Sequence, residues 1–227
     1  MTVFFSILTY LFLAGFAVMA TVYMIHTAKE RNQKTMVELL ICGGLILAAA
    51  ATGALAGKAA VGYALLMILA LLLFAVVFVM HEQVESPRFL AGFFSALVAN
   101  VIFSMAFAQA SGMHWLDILF FIGILALFIL VPRIAGLRIE TLKVPAVLAA
   151  ISATLMLTKA FSLLYVFRLP AACGWWSVAG TLLLLGGQAV VALPQFSSRF
   201  SRHRIPALIL SFAGQIALVL GLMNASF

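Results

Sequence analysis

The sequence predicts an all-α protein, a polytopic bundle of about eight transmembrane helices. Two observations carry this prediction. Of the 227 residues, 66% are hydrophobic and only 8% are charged, and the mean hydropathy is +1.25. Apolar runs of about 20 residues recur along the chain, and a helix of that length spans a hydrocarbon core of roughly 30 Å. A soluble domain cannot bury so much apolar surface, so the composition excludes one.

The run Phe89–Gln109 is the one around which we expect the others to pack. Apart from its last residue, Gln109, it is apolar except for a few small polar side chains and one amide, Asn100, near its middle. A helix over this run places Asn100 close to the bilayer midplane, where a polar side chain is costly unless it faces the bundle interior. The run therefore predicts a central helix with an inward-facing amide.

Basic residues, glycines or short polar segments separate the successive runs. The first run is too long for the apolar core of a signal peptide and is expected to remain as a transmembrane helix. No linker divides the chain, so residues 1–227 are expected to form a single domain. The eight predicted spans are Val3–Ile25, Thr35–Leu55, Val61–Met80, Phe89–Gln109, Trp115–Val131, Val144–Phe167, Trp175–Leu193 and Ile205–Asn224.

The distribution of positive charge predicts the orientation of the bundle. Loops that are rich in Lys and Arg stay on the cytoplasmic side. The loops after the first, third, fifth and seventh spans hold ten of the 13 basic residues, namely Lys29, Arg31, Lys34, Arg88, Arg133, Arg138, Lys143, Arg199, Arg202 and Arg204. Both termini are therefore expected on the extracytoplasmic side of a plasma membrane, taken here as a bacterial inner membrane. The same bias explains the net charge of +7 without nucleic-acid binding.

Small and aromatic residues indicate how the helices pack and where they meet the interface. Gly53 and Gly57 form a GxxxG, and Gly186 and Gly187 are adjacent, which favours close helix contacts. Pro145 falls near the start of the sixth span, where proline is tolerated. Three tryptophans at span ends, Trp115, Trp175 and Trp176, are typical of interfacial anchors.

The two cysteines are not expected to pair. Cys42 lies in an apolar run, and Cys173 is placed in a loop on the opposite side of the bundle. Neither has the spacing of a metal ligand, so no metal and no cofactor is predicted.

Apart from the terminal residues Gln109 and Asn224, three amides lie within the predicted spans: Asn100, Gln188 and Gln215. If their helices are neighbours, the three side chains line one cavity. One interpretation is interhelical hydrogen bonding, worth roughly 0.6 to 2 kcal/mol per contact. The other is that they are the remains of a substrate pocket. The sequence alone leaves both open.

Charged residues near span ends also have two interpretations each. Lys159, in the outer half of the sixth span, either extends its ammonium group toward the interface or stays inside and pairs with a lipid phosphate. Glu38, about one turn into the second span, is expected to be an interfacial carboxylate near Lys34. His114 and Asp117 share a predicted outer loop and are expected to be solvated, as are His26 and His203.

The segment His81-Glu82-Gln83-Val84-Glu85 begins like the zinc-protease motif HExxH but ends in Glu instead of His. It also falls at the end of a span, so it does not predict a zinc site. The chain contains no nucleophile elbow, phosphate-binding loop or CxxC pair. The sequence therefore contains none of these common motifs of hydrolases, nucleotide-binding proteins or redox proteins.

Three passages of the chain resemble the lysoplasmalogenase (YhhN-type) family of polytopic membrane proteins. Two weaker likenesses are NVIFSMAF (Asn100–Phe107), which is similar to the family's His-x-x-Tyr-x-x-x-Phe, and Lys34, which is similar to an early lysine of the family. The three main passages are GLRIETLKVPAVLAAISATLMLTKAF (Gly136–Phe161, with Pro145, Met156 and Ala160), AGTLLLLGGQAVVAL (Ala179–Leu193) and SFAGQIALVL (Ser211–Leu220).

The resemblance implies a membrane-embedded hydrolase that cleaves the vinyl-ether bond of lysoplasmalogens to a fatty aldehyde and a glycerophospho head group. Such hydrolysis needs a general acid, a base for water and stabilisation of an oxocarbenium ion, and intramembrane Asp and His residues of the family suit those roles. In this chain the family's Gly-Asp corresponds to Phe78-Val79, and its His and Tyr correspond to Asn100 and Phe103. The family's Ser-Asp corresponds to Gly187-Gln188, and a later Tyr corresponds to Ser211. Only Gln215 is retained in kind.

These departures favour a protein that binds a membrane lipid, a lysophospholipid or an ether lipid, without cleaving it. The first alternative is an active hydrolase that uses Glu38, His81 or Glu82 at the cytoplasmic mouth. A small transporter and a structural subunit are further alternatives. The candidate pocket residues are Asn100, Phe103, Gln188, Ser211, Gln215, Val79 and Lys159.

Overall fold

The computed structural model describes residues 2–28, 34–55, 57–80, 87–134, 143–166, 169–196 and 204–225. Across these ranges the regular secondary structure is entirely α-helical, which confirms the predicted class. The described ranges contain eight helices: α1 (Thr2–Ala28), α2 (Lys34–Leu55), α3 (Gly57–Met80), α4 (Pro87–Ser111), α5 (Trp115–Ile134), α6 (Lys143–Tyr165), α7 (Ala171–Phe196) and α8 (Arg204–Met223).

The predicted spans agree with these helices to within a few residues. The largest differences at a helix start are at α3 and α7, which both begin earlier than predicted. Helix α7 begins at Ala171, whereas the predicted start is Trp175. Cys173 therefore lies in the first turn of a helix, and the prediction that it belongs to a loop is wrong. Cys173 and Cys42 are both buried, and no disulfide joins them.

Five helices contain a segment long and apolar enough to cross a membrane. Shorter apolar segments lie in α2, α3 and α5, at Leu39–Gly53, Val61–Phe74 and Trp115–Leu130. The five long segments, identified among the described residues, are Ile7–Ile25, Gly92–Ser111, Val144–Tyr165, Ala171–Val191 and Ile205–Met223. The basic loops on which the orientation depends lie mostly outside the described residues, so the side on which the termini lie stays a prediction.

The exterior of the bundle is apolar, whereas many of its buried residues are polar. On α5, for example, Leu119, Ile122 and Leu127 are all more than half exposed. Buried positions include Thr181, Gln215 and Asn100, each at most 1% exposed. An apolar exterior of this extent is costly in water and favourable in lipid, so the surface fits a membrane protein.

The helices are arranged around a shared interior. Among the described residues, α2, α3, α4, α6, α7 and α8 pack in that order, and α8 returns to α2. Helix α1 packs against α2 and α8, and α5 packs against α6. The large side chains that are fully buried include Phe74, Phe103, Phe107, Met67, Leu45 and Leu218.

Helices α7 and α8 run antiparallel and pack closely through glycines. A Cβ atom added to Gly180 would lie 2.8 Å from the carbonyl oxygen of Gly214, and one added to Gly214 would lie 2.8 Å from that of Gly180. Gly187 packs in the same way against Ser211 and Ala207. Backbones approach this closely only where side chains are small, so Gly187 has the packing role predicted for the glycine pair. Gly186 makes only an ordinary contact, with Leu210.

The described residues include most of the other small and aromatic positions that the sequence analysis singled out. A Cβ atom on Gly53 would lie 2.9 Å from the Cβ of Ala64 in α3, so this glycine does allow close packing. The surroundings of Gly57 lie outside what the structure describes. Pro145 is the third residue of α6. The three tryptophans Trp115, Trp175 and Trp176 are exposed near helix starts, as an interfacial position requires.

Candidate functional site

Two of the three intramembrane amides meet in the bundle interior. Asn100 of α4 donates from Nδ2 to Oε1 of Gln188 in α7 at 3.3 Å, and Gln188 donates from Nε2 to Oδ1 of Asn100 at 3.2 Å. Asn100 Nδ2 also donates to Oγ of Ser152 in α6 at 3.4 Å. Asn100 is 1% exposed. One buried amide therefore joins three helices that are distant in sequence.

The hydrogen-bonding capacity of this cluster is only partly used. An amide has two N–H donors and two acceptor lone pairs on its oxygen. Both donors of Asn100 are taken, by Gln188 and Ser152, and Ser152 itself donates to the carbonyl of Ala149. Among the described residues, Gln188, which is half-buried, donates only to Asn100, so one of its two N–H groups is left for a further acceptor. The cluster can bind oxygen-bearing groups, but none of its members releases or takes up a proton near neutral pH.

Gln215 does not join this pair. It is 1% exposed and makes no hydrogen bond to either amide. The contact between Gly180 and Gly214 sets the register of α7 against α8, and it places Gln215 level with Thr181. Thr181 precedes Gln188 by seven residues, so Gln215 lies about 10 Å from the amide pair along the bundle axis.

The remaining pocket candidates lie in different surroundings. Phe103 is fully buried on α4 and stacks on Phe107, with 6.4 Å between ring centroids. Ser211 packs into the contact between α7 and α8, against Gly187. The side chains of Val79 and Glu38, and the whole of His81 and Glu82, lie outside the described part of the chain.

Lys159 makes a contact that the sequence did not predict. Its Nζ donates to Oδ2 of Asp117 at 2.5 Å and to the carbonyl oxygen of Gly112 at 2.7 Å. Both Lys159 and Asp117 are 7% exposed. The Lys159 ammonium therefore reaches toward the end of the bundle, and its charge is paired there with Asp117. The expectation that Asp117 is solvated is wrong.

Both oxygens of the Asp117 carboxylate accept hydrogen bonds. The Tyr165 hydroxyl donates to Oδ1, and the backbone N–H of His114 donates to Oδ2 at 2.9 Å. The His114 ring is exposed and donates from Nε2 to the carbonyl of Ser111 at 3.0 Å. These contacts tie the connection between α4 and α5 to the end of α6, and we call this part of the molecule the Asp117 end.

A signal for this ion pair was present in the sequence. The predicted outer half of the sixth span carries a lysine, and an aspartate begins the fifth span at the same predicted end. Opposite charges at one depth in neighbouring spans are expected to pair, because each alone is costly in lipid. Treating His114 and Asp117 as loop residues hid that complementarity.

Comparisons with known proteins give one match. A model of the YhhN family matches residues 43–222. This range includes the amide pair, Ser152, Gln215 and the whole Asp117 end. No curated protein and no solved structure matches the chain.

Proposed function

The chain belongs to the YhhN family, and from that premise we propose that it binds a lysophospholipid or an ether lipid inside its helix bundle without cleaving it. The family match and the apolar helices fit a membrane protein of that family. The observation that carries the proposal is the Asn100–Gln188 pair, an uncharged hydrogen-bonding cluster within the ring of helices.

The chemistry of the pair argues for binding over cleavage. The resemblance to lysoplasmalogenases implies hydrolysis of a vinyl ether, which begins with proton transfer to carbon from a general acid. Loss of a positioned acid or base typically removes 10²–10⁴-fold in rate. Asn100 and Gln188 stand where the resemblance implies His and Asp, and amides cannot replace them in proton transfer.

The surroundings of the pair suit the other half of an amphiphile. Phe103 and Phe107 lie one and two turns further along α4 from Asn100, and both are fully buried. Their stacked rings make the interior next to the amides apolar. A lipid with an oxygen-bearing backbone and a hydrocarbon chain offers matching groups to both.

The double variant Asn100→Leu/Gln188→Leu tests this proposal. Replacing both partners avoids leaving one buried amide unpaired, so we expect the bundle to stay folded. Loss of one or two hydrogen bonds to the lipid, each worth about 1 kcal/mol, is expected to reduce lysolipid retention about 5- to 30-fold. Native mass spectrometry of the purified protein, with the lipid identified by fragmentation, gives the measurement.

Gln109→Leu is the matched control, because Gln109 is an exposed amide on the same helix. It is expected to retain lysolipid as the unmodified protein does. Equal retention by the double variant and the control would contradict the proposed role of the amide pair.

One observation favours the family hydrolysis as a second candidate function. Asp117 is a buried carboxylate that accepts a hydrogen bond from Tyr165, which provides an ionisable pair inside the bundle. On this candidate Asp117→Asn abolishes aldehyde release from a lysoplasmalogen. Glu38→Gln and Glu82→Gln test the two cytoplasmic-mouth carboxylates in the same assay. Against it, Lys159, Tyr165 and His114 already occupy the carboxylate of Asp117.

A further inference from the structure

Several buried polar side chains, among them Thr158, Ser162 and Ser177, have an atom without a hydrogen-bond partner among the described residues. Two others of this kind, Thr181 of α7 and Gln215 of α8, lie close together. Gln215 Nε2 and Thr181 Oγ1 make no hydrogen bond with any residue that the structure describes, although Gln215 is 1% exposed and Thr181 fully buried. Two buried threonines on other helices do have partners. Thr154 donates to the carbonyl of Ala150 at 2.6 Å, and Thr52 donates to that of Ala48 at 2.8 Å.

The contact between α7 and α8 brings the two side chains to one level. Gly180 and Gly214 face each other directly, each within reach of the other's carbonyl oxygen. Thr181 and Gln215 are the residues that follow these two glycines. Each is displaced from its glycine by about 100° of rotation and about 1.5 Å of rise. The two levels therefore differ by only about 3 Å.

The two side chains also turn to the same side of that contact. In right-handed helices that run antiparallel, the residue after each facing position rotates toward the same flank. On α7 this flank also carries Gly174, seven residues before Thr181, which packs against Leu163 and Leu164 of α6. It also carries Gln188, seven residues after Thr181. Thr181 and Gln215 therefore face the interior of the ring, about 10 Å from the amide pair and toward the Asp117 end.

We propose that Thr181 and Gln215 form a second polar subsite, which holds an uncharged hydroxyl group on the glycerol part of the bound lipid. This inference rests on the proposed function. A hydroxyl accepts from the Gln215 N–H and exchanges a hydrogen bond with Thr181, so one group satisfies both side chains. A charged group is a poor match, because both residues are neutral and Lys159 is already bonded to Asp117 and Gly112.

The spacing of the two subsites suits one amphiphile. The Asn100–Gln188 pair and the Thr181–Gln215 subsite lie on the same inward flank of α7, separated by about 10 Å. The hydroxyl of a lysolipid and the linkage oxygen on the adjacent glycerol carbon lie much closer together than this difference in backbone level. Helical side chains lean toward the N-terminus of their own helix, so in these antiparallel helices the Gln188 and Gln215 side chains lean toward each other and shorten the gap between the two subsites. The glycerol hydroxyl then lies at Thr181 and Gln215, and a linkage oxygen near the chain lies at the remaining N–H of Gln188.

The test compares two lipids and two variants of the full-length protein. The probes are 1-oleoyl lysophosphatidylethanolamine and its analogue that lacks the sn-2 hydroxyl, titrated in micelles and followed by native mass spectrometry. Unmodified protein is expected to bind the hydroxyl-bearing lipid about 5- to 10-fold more tightly than the analogue. Gln215→Met and Thr181→Val keep side-chain size and are expected to reduce or abolish that preference.

Thr154→Val is the matched control, because it removes a buried hydroxyl that already has a partner in its own helix. It is expected to keep the preference. The lipid-free melting temperature of Gln215→Met is expected to stay equal or rise, since the substitution removes an unpaired buried donor. A lower melting temperature with an unchanged lipid preference would overturn the inference, because it marks Gln215 as purely structural.

The outcomes separate this inference from the function on which it rests. If the unmodified protein binds both lipids equally and Gln215→Met binds them equally as well, the subsite is overturned while lipid binding stands. If the unmodified protein binds neither lipid, the proposed function fails and the subsite fails with it.

Discussion

Lys159→Met is expected to destabilise the folded protein by about 3–5 kcal/mol, the cost of removing one partner of a buried ion pair. The substitution leaves the Asp117 carboxylate buried, with the hydrogen bonds from Tyr165 and the backbone of His114 but without a compensating charge. It also removes the donor to the Gly112 carbonyl. Unfolding by added SDS in dodecyl maltoside micelles, followed by circular dichroism, measures the loss of stability.

The double variant Lys159→Met/Asp117→Asn separates charge from packing. Replacing both charges by neutral groups of similar size removes the uncompensated carboxylate, so most of the lost stability is expected to return. The amide introduced in place of the Asp117 carboxylate still offers an oxygen to the His114 N–H. A double variant as unstable as Lys159→Met alone would show that the pair does not explain the stability of the Asp117 end.

Gly214→Val is expected to destabilise the protein by about 3 kcal/mol, the upper part of the range for overpacking a close-packed interior. The first added atom already lies 2.8 Å from the carbonyl oxygen of Gly180 and 2.8 Å from the backbone nitrogen of Leu184. Neither backbone atom can move without shifting α7 against α8. The same unfolding experiment measures the effect, and the reciprocal variant Gly180→Val is expected to behave alike.

Gly186→Ala gives the matched control on α7. Its added Cβ meets only the Leu210 side chain, at 3.7 Å, which is an ordinary contact. Alanine is favoured over glycine within a helix by up to about 1 kcal/mol, so this variant is expected to be neutral or slightly stabilised. Equal destabilisation by Gly186→Ala and Gly214→Val would contradict the assignment of the α7–α8 contact to Gly180 and Gly214.

The helices were predictable from the sequence because membrane spans need little beyond length and apolarity. Each of the eight runs corresponds to one helix of the described structure. The error at the start of α7 arose because Ala171–Gly174 follows a charged residue, Arg168, and a proline, Pro170. That proline precedes the helix and does not interrupt it, so the first turn includes Cys173.

For the candidate site, individual residues were predictable from the sequence, but the contacts between them were not. The sequence identified Asn100 and Gln188 as costly inside a membrane, but it gave no means of showing that they are partners. The pairing depends on the packing of α6 between α4 and α7, a property of helix order that hydropathy does not contain. Gln215 is separated from the pair because the contacts of Gly180 and Gly187 fix the register of α8.

The family resemblance implies hydrolysis of a vinyl ether, whereas the amides at the corresponding positions favour binding without cleavage. The positions that the resemblance assigns to proton transfer, Asn100 and Gln188, satisfy each other through amide hydrogen bonds. The carboxylate that the structure does bury, Asp117, lies at the end of the bundle and is neutralised by Lys159. The amide pair and this ion pair are therefore held in separate parts of the interior.

Incubation of the purified protein with a lysoplasmalogen tests the central claim most directly, because bound lipid and released aldehyde can both be measured in one sample. Binding without cleavage predicts a complex of intact lysoplasmalogen and protein by native mass spectrometry, with aldehyde no higher than in a protein-free control. Aldehyde release that grows with protein concentration, and that Asp117→Asn, Glu38→Gln or Glu82→Gln abolishes in a folded variant, would contradict it.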